Sequence, residues 1–452
     1  MAFAYADLFA GIGGFHAAMT AAGGECVFVS EIDPAAAAVY EQNWGDSIEP
    51  ADGRRAVEGD IVPITEPRVA KWVPEMDVLC AGFPCQPFSK SGFQRGMSET
   101  RGTLFFNIAK ILERRKPAVI LLENVRNLAG PKHRDTWATI VETLRDLGYR
   151  VSDTPTVFSP HLLPPELGGT PQIRDRVFIA GTWVGKEQAW ADRDVSPTLR
   201  KGPVEGWDPM TWNLELDLPL ERESPTTARY ALSVAEREWV DVWDDFVLRL
   251  LKTRKGRQLP GFPLWADAFV AYPAVSRETP DWKADFLRKN SAFYLEHRLV
   301  IDDWRHAHPE FETFPASRRK LEWQAQGAAS LWDCIMHFRP SGIRAKLPTY
   351  TPALVAITQT SVIGGVRKRR LTPLEAARLQ GLPDWFDFGD QPDAATYKQL
   401  GNGVAVGAAY HVFRTHVLGD PDVPAHIRDA VAAADHKPVV TRPEPRQHRQ
   451  TA

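Results

Sequence analysis

The chain contains 452 residues, of which 44% are hydrophobic and 25% charged, and its formal net charge at pH 7 is −3. These values are typical of an ordinary soluble globular protein of about two or three domains, and they exclude a protein that holds nucleic acid through its overall charge. No apolar run approaches the ~18 residues of a transmembrane helix, so no membrane association is expected. The N-terminal stretch MAFAYADLFAGIGGF lacks a basic n-region, and we therefore expect a cytoplasmic protein.

The cysteines and the basic runs are informative mainly for what they exclude. The four cysteines include no CxxC pair and do not cluster with histidines, so neither a metal site nor a disulfide framework is expected.

The charge is locally positive at 252–257, 317–320 and 367–370. Each of these runs is interpreted first as a solvated surface, although a nucleic-acid partner would need patches of this kind.

The first 185 residues alternate short apolar runs with amphipathic stretches. Strands are predicted at Phe3–Leu8, Cys26–Ser30, Asp77–Ala81, Ala118–Leu122 and Arg176–Ala180, and helices at Pro34–Trp44, Thr103–Arg115 and Thr136–Leu147. This alternation predicts an α/β fold with a doubly wound, mixed but mostly parallel sheet. Ligands of such sheets bind outside the carboxyl ends of the strands, which is where the motifs below lie.

Beyond residue 185 the alternation is lost and later returns. Residues 186–366 predict an inserted, smaller and irregular domain, in which 226–251 form one amphipathic helix whose apolar side chains are interpreted as core. Regular helical patterns resume at 367–424, where Thr372 can cap a helix that begins at Pro373. Residues 425–452 are rich in Pro, His and Arg without an apolar period, and they are predicted to be disordered.

The sequence DLFAGIGGF predicts a Gly-rich turn between the first strand and a helix. Gly11 and Gly13 allow a tight turn and a close approach of a ligand to the backbone. Glu31 lies 20 residues after Gly11, at the end of the second strand, where a carboxylate can accept hydrogen bonds from both hydroxyls of a ribose. Asp60 could receive an adenine amino group, with the Phe9 ring nearby. Strand-end capping is the alternative for both carboxylates, and the short glycine pattern favours S-adenosylmethionine over NAD.

The sequence GFPCQPFSKSG presents one thiol, that of Cys85, between two prolines directly after a predicted strand. Proline fixes φ and removes a hydrogen-bond donor, so Pro84 and Pro87 end the strand and shape a loop. A buried structural cysteine is the commoner case. Because this loop is a poor place to pack one, we interpret Cys85 as a functional thiol.

The next two motifs supply an acid and two arginines at the same edge of the sheet. Glu123 ends the strand that begins at 118, and a buried carboxyl there is expected to have a raised pKa, so it can hold and donate a proton. Arg174 and Arg176 stand two residues apart, on one face of an extended segment, and can stabilise anionic groups or a carbonyl oxygen. A strand-end ion pair is the alternative for each motif. A thiol, an acid, two arginines and an adenosine-type site together suit attack on cytosine, whose C5 becomes nucleophilic once a thiolate adds to C6 and N3 is protonated.

These motifs resemble those of the DNA cytosine-5 methyltransferase family. The resemblance rests on DLFAGIGGFH, GFPCQPFSKSG, GTLFFNIAKIL, ENVRNL, PQIRDRVF, RRLTPLEAARLQGLP and QLGNGVAVG, which cover nearly all of 1–182 and 369–417 in the family's order. It implies methyl transfer from S-adenosylmethionine to C5 of cytosine in a specific double-stranded DNA sequence, through a covalent bond to C6 of a flipped base. One departure is Gly403, where many members have serine and where the expected contact is mainly through the backbone.

The resemblance also implies roles for individual residues. Cys85 is the nucleophile, and Glu123 protonates or hydrogen-bonds N3 of the cytosine. Arg176 holds the cytosine O2, and Arg174 supports the flipped base and the loop. The mobile catalytic loop includes Gln86 and Ser89, and the cofactor site is lined by Phe9, Gly11, Gly13, Glu31, Asp60, Ile61, Leu104, Asn402 and Val404.

The domain organisation follows from the same resemblance. Residues 1–185 are the catalytic and cofactor-binding domain, 186–366 the target-recognition domain, 367–424 the hinge and return, and 425–452 the tail. DNA would lie between the two lobes, the protein is expected to be a monomer, and a restriction-modification system with a cognate endonuclease is the expected setting.

Three alternative functions are less consistent with the sequence. The first is tRNA cytosine-5 methylation, which the long inserted segment disfavours. A catalytically silent DNA-binding module is disfavoured by the intact motifs. An NAD-dependent oxidoreductase explains neither the Cys85 loop nor the two arginines.

Overall fold

The structure is a computed structural model that describes residues 2–48, 56–66, 73–84, 104–193, 195, 199, 201–255, 257–357, 362–365 and 367–443. No helix in these ranges is long and apolar enough to cross a membrane. The described residues fall into two compact units. One is drawn from Met1–Thr211, Ala353–Thr358 and Ala376–Ala452, and the other from Trp212–Pro352 and Gln359–Glu375.

The N-terminal part of the first unit alternates strands with helices. Its strands are β1 (Phe3–Leu8), β2 (Gly24–Ser30), β3 (Val78–Gly82), β4 (Val119–Val125), β5 (Tyr149–Arg150), β6 (Thr156–Phe158), β7 (Gln172–Ile173) and β8 (Arg176–Trp183). Its helices are α1 (Gly14–Ala21), α2 (Pro34–Trp44), α3 (Ile61–Ile64), α4 (Leu104–Arg115), α5 (Arg134–Asp146) and α6 (Lys186–Ala191). The five predicted strands correspond to β1, β2, β3, β4 and β8, whereas the short strands β5, β6 and β7 were not predicted.

The central sheet of this unit has the order β2-β1-β3-β4-β8-β5, with β6 paired to β8. The pairs β1–β2, β1–β3 and β3–β4 are parallel, while β8 is antiparallel to β4, β5 and β6. Apolar residues of α4 and α5, such as Ile108 and Leu144, share a core with one face of the sheet, and His16 of α1 contacts Tyr5 on the other. The predicted mixed, mostly parallel α/β fold is confirmed.

The buried imidazole of His16 is held as a neutral ring. Its Nδ1 lies 2.7 Å from the Tyr40 hydroxyl, and its Nε2 lies 3.1 Å from Oγ of Ser47, which itself donates to the carbonyl of Trp44. The Ser47 oxygen must therefore accept from Nε2–H, and the Tyr40 hydroxyl can donate to Nδ1. Complete burial lowers the pKa of His16 to about 3, because the charged ring would lose its hydration.

This histidine should make the protein sensitive to acid. The unfolded chain binds a proton at His16 near pH 6.5 and the folded chain only near pH 3, so stability is lost as the pH falls through that window. We expect the free energy of unfolding of the wild type to fall by several kcal/mol more than that of His16→Gln between pH 6.5 and 4, measured by urea unfolding. Parallel pH profiles of the two proteins would contradict this assignment.

The segment between 212 and 379 is built from helices and a second sheet. Its helices are α7 (Leu214–Asp217), α8 (Pro225–Ala228), α9 (Val234–Thr253), α10 (Asp281–Glu296), α11 (Arg298–Ala307) and α12 (Pro373–Leu379). Its strands are β9 (Leu264–Trp265), β10 (Lys320–Gln324), β11 (Ile335–Arg339), β12 (Gly342–Lys346), β13 (Thr351–Pro352), β14 (Val362–Gly364) and β15 (Arg369–Arg370). Six of these strands form one sheet in the order β15-β14-β11-β12-β10-β9, so this unit is more regular than its sequence suggests.

The predicted single helix over 226–251 is wrong. The structure has α8 and then α9, because Ser233 and Glu236 form a capping box that starts a new helix at Val234. The Oγ of Ser233 accepts from the N–H of Glu236 at 3.3 Å, and the Glu236 carboxylate accepts from the N–H of Ser233 at 3.0 Å. The interpretation of the apolar face of this region as core is confirmed, since Val242, Phe246 and Leu250 are all buried.

The unit boundaries differ from the domain boundaries inferred from the sequence. The first unit continues past 186 to Thr211, because α6 and the segment after it bond to this unit. Arg150 pairs with Asp192 at 2.9 Å, and the indole of Trp207 donates to the carbonyl of His161 at 3.1 Å. The change of composition at 186 therefore precedes the structural boundary.

The C-terminal part of the first unit contains α13 (Asp393–Asn402), α14 (Val406–Gly419) and α15 (Ala425–Ala433). Helix α15 contradicts the predicted disorder of the tail within 425–433. Ile427 and Val431 are fully buried one turn apart and α15 packs on α14, so apolar contacts anchor this helix to the unit. The predicted capping of α12 is confirmed, since Thr372 Oγ1 accepts from the N–H of Glu375 at 3.2 Å.

Candidate active site

A cavity of about 400 Å³ opens at the carboxyl ends of β1, β2, β3 and β4 in the first unit. Residues predicted from the sequence that line it are Phe9, Gly11, Glu31, Asp60, Ile61, Leu104, Glu123, Arg176 and Asn402. The parallel strand order brings these ends to one edge although they are far apart in the chain. Three predicted residues, Cys85, Gln86 and Ser89, lie outside the described residues.

The Gly-rich turn forms one wall of this cavity. Phe9 has a φ of 55° and Gly11 a φ of 56°, both in the left-handed region, which is uncommon for a side chain as large as phenylalanine. Among the described residues other than its chain neighbours, no atom lies within 4 Å of a Cβ placed at Gly11, so this backbone is open on the side of the cavity. The Glu31 carboxylate accepts from the N–H of Gly11 at 2.7 Å and from that of Asp33 at 2.8 Å. The turn is thereby fastened to the end of β2, and Glu31 keeps further acceptor capacity at the cavity wall.

Two predicted cofactor residues do not line the cavity. A Cβ at Gly13 would lie 2.2 Å from Nε1 of Trp44, so this glycine is explained by packing of the indole against the turn. Val404 packs against the start of α1, with its carbonyl oxygen 2.4 Å from the position of a Cβ at Gly14. The contacts of both residues with the protein itself depend on tertiary structure, and a sequence pattern cannot separate them from ligand contact.

Glu123 is a buried acid in the lining of the same cavity. It lies within β4, which extends to Val125, and only 7% of its surface is exposed. Its Oε1 is 2.9 Å from Nε of Arg176 on the neighbouring strand β8. Burial raises the pKa of Glu123, and the nearby guanidinium groups of Arg176 and Arg174 oppose that rise without cancelling it. The arrangement is an acid that keeps its proton to higher pH than usual, beside a fixed cation.

Asn124 connects this acid to the segment that leads to Cys85. Its side-chain amide donates to the carbonyl of Phe83 at 2.8 Å, and its Oδ1 accepts from the N–H of Val125. Gly82 of β3 is paired in register with Glu123. The chain therefore leaves β3 directly beside the acid, with Phe83 and Pro84 in the cavity lining.

The structure separates the two predicted arginines. Arg176 lines the cavity, whereas Arg174 is 1% exposed and is absent from its lining. The guanidinium of Arg174 donates to the carbonyls of Leu354, Gly401 and Gly403 at 2.9, 2.8 and 2.6 Å. Desolvation lowers the pKa of Arg174 to about 9, which leaves it charged at neutral pH. Its contacts hold the glycine turn that precedes α14, and the one to Gly403 is made through the backbone.

Several lining residues were not predicted. Ile32 is 66% exposed at the cavity mouth, an unusual position for a large apolar side chain. Lys398 of α13 lies with its Nζ 3.9 Å from Oδ2 of Asp33 across the same mouth. In the sequence, the apolar residue between two acids in EID could have indicated this position. The approach of Lys398 to Asp33 depends on tertiary structure and could not be predicted.

A second cavity, of about 590 Å³, lies in the same unit beside β8 and α14. Its charged groups pair with each other, since Arg150 binds Asp192 at 2.9 Å and Asp420 at 2.5 Å. No group of three or more potential metal-ligating side chains occurs among the described residues. The groups suited to catalysis, Glu123 and Arg176, therefore line the cavity at the strand ends, although it is the smaller of these two cavities.

The doubly wound sheet, the Gly-rich turn fastened by an acid, and the buried Glu123–Arg176 pair define an α/β enzyme of the methyltransferase type. A profile of the family described as C-5 cytosine-specific DNA methylase matches residues 3–417. The chain is 45% identical to the type II methyltransferase M.AluI of Cellulosimicrobium cellulans over 92% of both chains. It is 32% identical to the type II methyltransferase M.HpaII of Haemophilus parainfluenzae, over 90% of this chain and 87% of that one.

Among solved structures, the crystal structure of the S. pombe Dnmt2 methyltransferase is 14% identical, with a TM-score of 0.44 over 93% of this chain and 99% of that chain. The sequence matches alone are sufficient to assign the family. The chain belongs to the C-5 cytosine-specific DNA methylase family and is a DNA (cytosine-5-)-methyltransferase. Its substrate is DNA.

Proposed function

We propose that this enzyme methylates C5 of one cytosine within a specific double-stranded DNA sequence, using S-adenosylmethionine and a covalent bond from Cys85 to a flipped base. We further infer that it is a monomeric modification enzyme of a restriction-modification system with a cognate endonuclease. The observation that supports this proposal most directly is the buried Glu123–Arg176 pair beside the strand that leads to Cys85.

The residues at the strand ends fit S-adenosylmethionine. The backbone at Gly11 is open to a ligand, and the Glu31 carboxylate is held in place by two N–H groups at the end of β2. Asp60 caps α3 through Val62 and faces the same cavity, as do Ile61 and Leu104. When bound, the cofactor supplies an electrophilic methyl group on a sulfonium sulfur.

The chain's own groups would prepare the cytosine for that methyl group. The Cys85 thiolate adds to C6, and the electron pair of the C5=C6 bond moves through the ring toward N3, where the proton held by Glu123 is placed. Arg176 binds O2 of the same ring and fixes its orientation. C5 is then enamine-like and nucleophilic. As C5 takes the methyl group, the bond between that methyl and the sulfonium sulfur breaks. A base then removes the C5 proton, the C5=C6 bond re-forms as the thiolate leaves C6, and the proton on N3 returns to Glu123, which restores the enzyme.

We propose that the second unit supplies the sequence recognition. It contains a sheet of its own and a core formed by residues such as Trp243, Trp304 and Trp323, so it can present a stable surface to DNA. The length of the segment is consistent with reading several base pairs.

Bisulfite sequencing of DNA from a host that expresses the enzyme tests this function. The expected result is full protection of one cytosine within one short sequence wherever that sequence occurs. The matched control is a host that expresses Cys85→Ala. DNA that remains unprotected in both hosts, while the wild-type protein is folded and present, would contradict the proposal.

The proposed ribose contact predicts a loss of cofactor affinity in Glu31→Gln. Hydrogen bonds to a charged group contribute about 1.5–3 kcal/mol, so we expect binding of S-adenosylmethionine to weaken by roughly 10- to 100-fold in calorimetric titrations. Glu25→Gln is the matched control, because Glu25 is exposed on the same strand. An unchanged dissociation constant in Glu31→Gln would remove Glu31 from the cofactor site.

A further inference from the structure

The basic runs that stand out in the sequence of the second unit are largely used inside it. In 367–370, Arg369 pairs with the buried Glu375 at 2.7 Å, and Arg370 forms an ion pair with Glu236. In 317–320, Arg319 pairs with Asp267 at 2.6 Å. These three guanidinium groups hold the fold together, so other cations of this unit must form a DNA-binding surface.

A different set of cations meets on one face of the six-stranded sheet. In β10, Leu321 and Trp323 point into the core, so Glu322 between them points to the opposite face. Glu322 is paired in register with Arg344 of β12, which is itself paired with His337 of β11. We call this surface the basic sheet face; its residues are Lys320, Glu322, His337, Arg339, Arg344 and Lys346.

One carboxylate organises this face. Glu322 Oε1 lies 2.9 Å from Nε of Arg344, its Oε2 accepts from Nη2 of Arg344 at 3.2 Å, and it forms a second ion pair with Arg339. The two arginine side chains are 31% and 20% exposed, so they are oriented by the protein but still reach solvent. Two planar cations fixed in this way lose little conformational entropy when they bind an anion.

The charges on this face do not balance. Lys320, Arg339, Arg344 and Lys346 are cations, and Glu322 is the one carboxylate among the six residues of the face. Burial and the neighbouring Arg344 lower the pKa of Lys346, and burial with Arg339 and Arg344 lowers the pKa of His337 to about 4. Burial is the larger cause of both shifts, and repulsion by the neighbouring arginines adds to it. An anion bound at this face would relieve that repulsion.

We propose that the basic sheet face of the second unit binds backbone phosphates of the DNA substrate, with Arg344 and Lys346 as contacts and Glu322 as a positioning residue. The occupant is a DNA duplex because the enzyme acts on DNA and the face is positively charged, which is the complement of a phosphate backbone. Such contacts hold the duplex in register and carry no sequence information. The inference rests on the proposed role of the second unit in DNA recognition.

The test is fluorescence anisotropy of full-length enzyme with two duplexes, one containing the methylated sequence and one unrelated, over a series of salt concentrations. Arg344→Gln and Lys346→Gln each remove one phosphate contact, so the slope of log affinity against log salt should become less steep by about 0.9. At 0.1 M salt this corresponds to roughly eightfold weaker binding, equal for both duplexes. Arg344→Lys keeps the charge and should keep the wild-type slope.

Lys289→Gln is the matched control, because it removes the same charge from an exposed helix of the same unit. The melting temperature of each variant verifies folding. A wild-type slope in Arg344→Gln and Lys346→Gln would overturn the inference. A loss of affinity confined to the duplex with the methylated sequence would also overturn it, because these residues would then contact bases. A wild type that binds neither duplex would contradict the proposed function itself.

Discussion

Replacing Cys85 with alanine is expected to abolish methyl transfer, by about four orders of magnitude or more, while S-adenosylmethionine still binds. Without the thiolate no electrons are pushed toward C5, and an unactivated cytosine ring is too poor a nucleophile to take a methyl group. The measurement is incorporation of labelled methyl groups into duplex DNA, together with calorimetric titration of the cofactor.

A neighbouring thiol provides the control for this variant. Cys80 lies on β3, five residues before Cys85, and is fully buried. Burial raises the pKa of Cys80 far above its usual value, so this thiol stays protonated and unreactive. Cys80→Ala should lose some stability and keep its methylation activity. Substantial methylation by Cys85→Ala would sink the covalent mechanism.

Glu123→Gln is expected to slow methyl transfer by about 10²–10⁴-fold with little change in cofactor affinity. Glutamine keeps the size and a hydrogen-bond donor, but it cannot hold an ionisable proton for N3. Burial raises the pKa of Glu123, so the protonated form persists to higher pH than in a free glutamate. The wild-type rate should therefore fall as the pH rises through that pKa, and this descending limb should be absent from the pH profile of the variant.

The pH profile separates this catalytic role from a structural one. Glu123 is paired with Arg176, so its replacement can also disturb the site by leaving a cation with a weaker partner. A purely structural loss would lower the rate by the same factor at every pH. A variant with the wild-type rate, or with the wild-type pH dependence, would remove the proton-holding role from Glu123.

The strand ends of the first unit could be predicted from the sequence. Strand β1 was predicted with its observed bounds, and Glu31 and Glu123 were placed at one edge, because a parallel sheet sends every strand end to the same side. Apolar runs and turn residues are local signals, so the elements that they define can be located without the fold.

Contacts that depend on a distant partner in the chain were not predicted. Gly13 is required by the Trp44 indole, and Arg174 binds carbonyls about 180 to 230 positions away in the chain. The basic run at 367–370 suggested a surface, but Arg369 is buried against Glu375. In each case the deciding contact is formed only by tertiary packing, and no spacing along the chain reports it.

The covalent step is tested most directly by a duplex in which the target cytosine carries fluorine at C5. Fluorine cannot leave as a proton does, so after methylation the Cys85 sulfur should stay bonded to C6. The account predicts a species that survives denaturation, has the combined mass of protein and methylated DNA, and maps by peptide mass spectrometry to Cys85. Efficient methylation of the ordinary duplex without such an adduct, or an adduct at another residue, would contradict it.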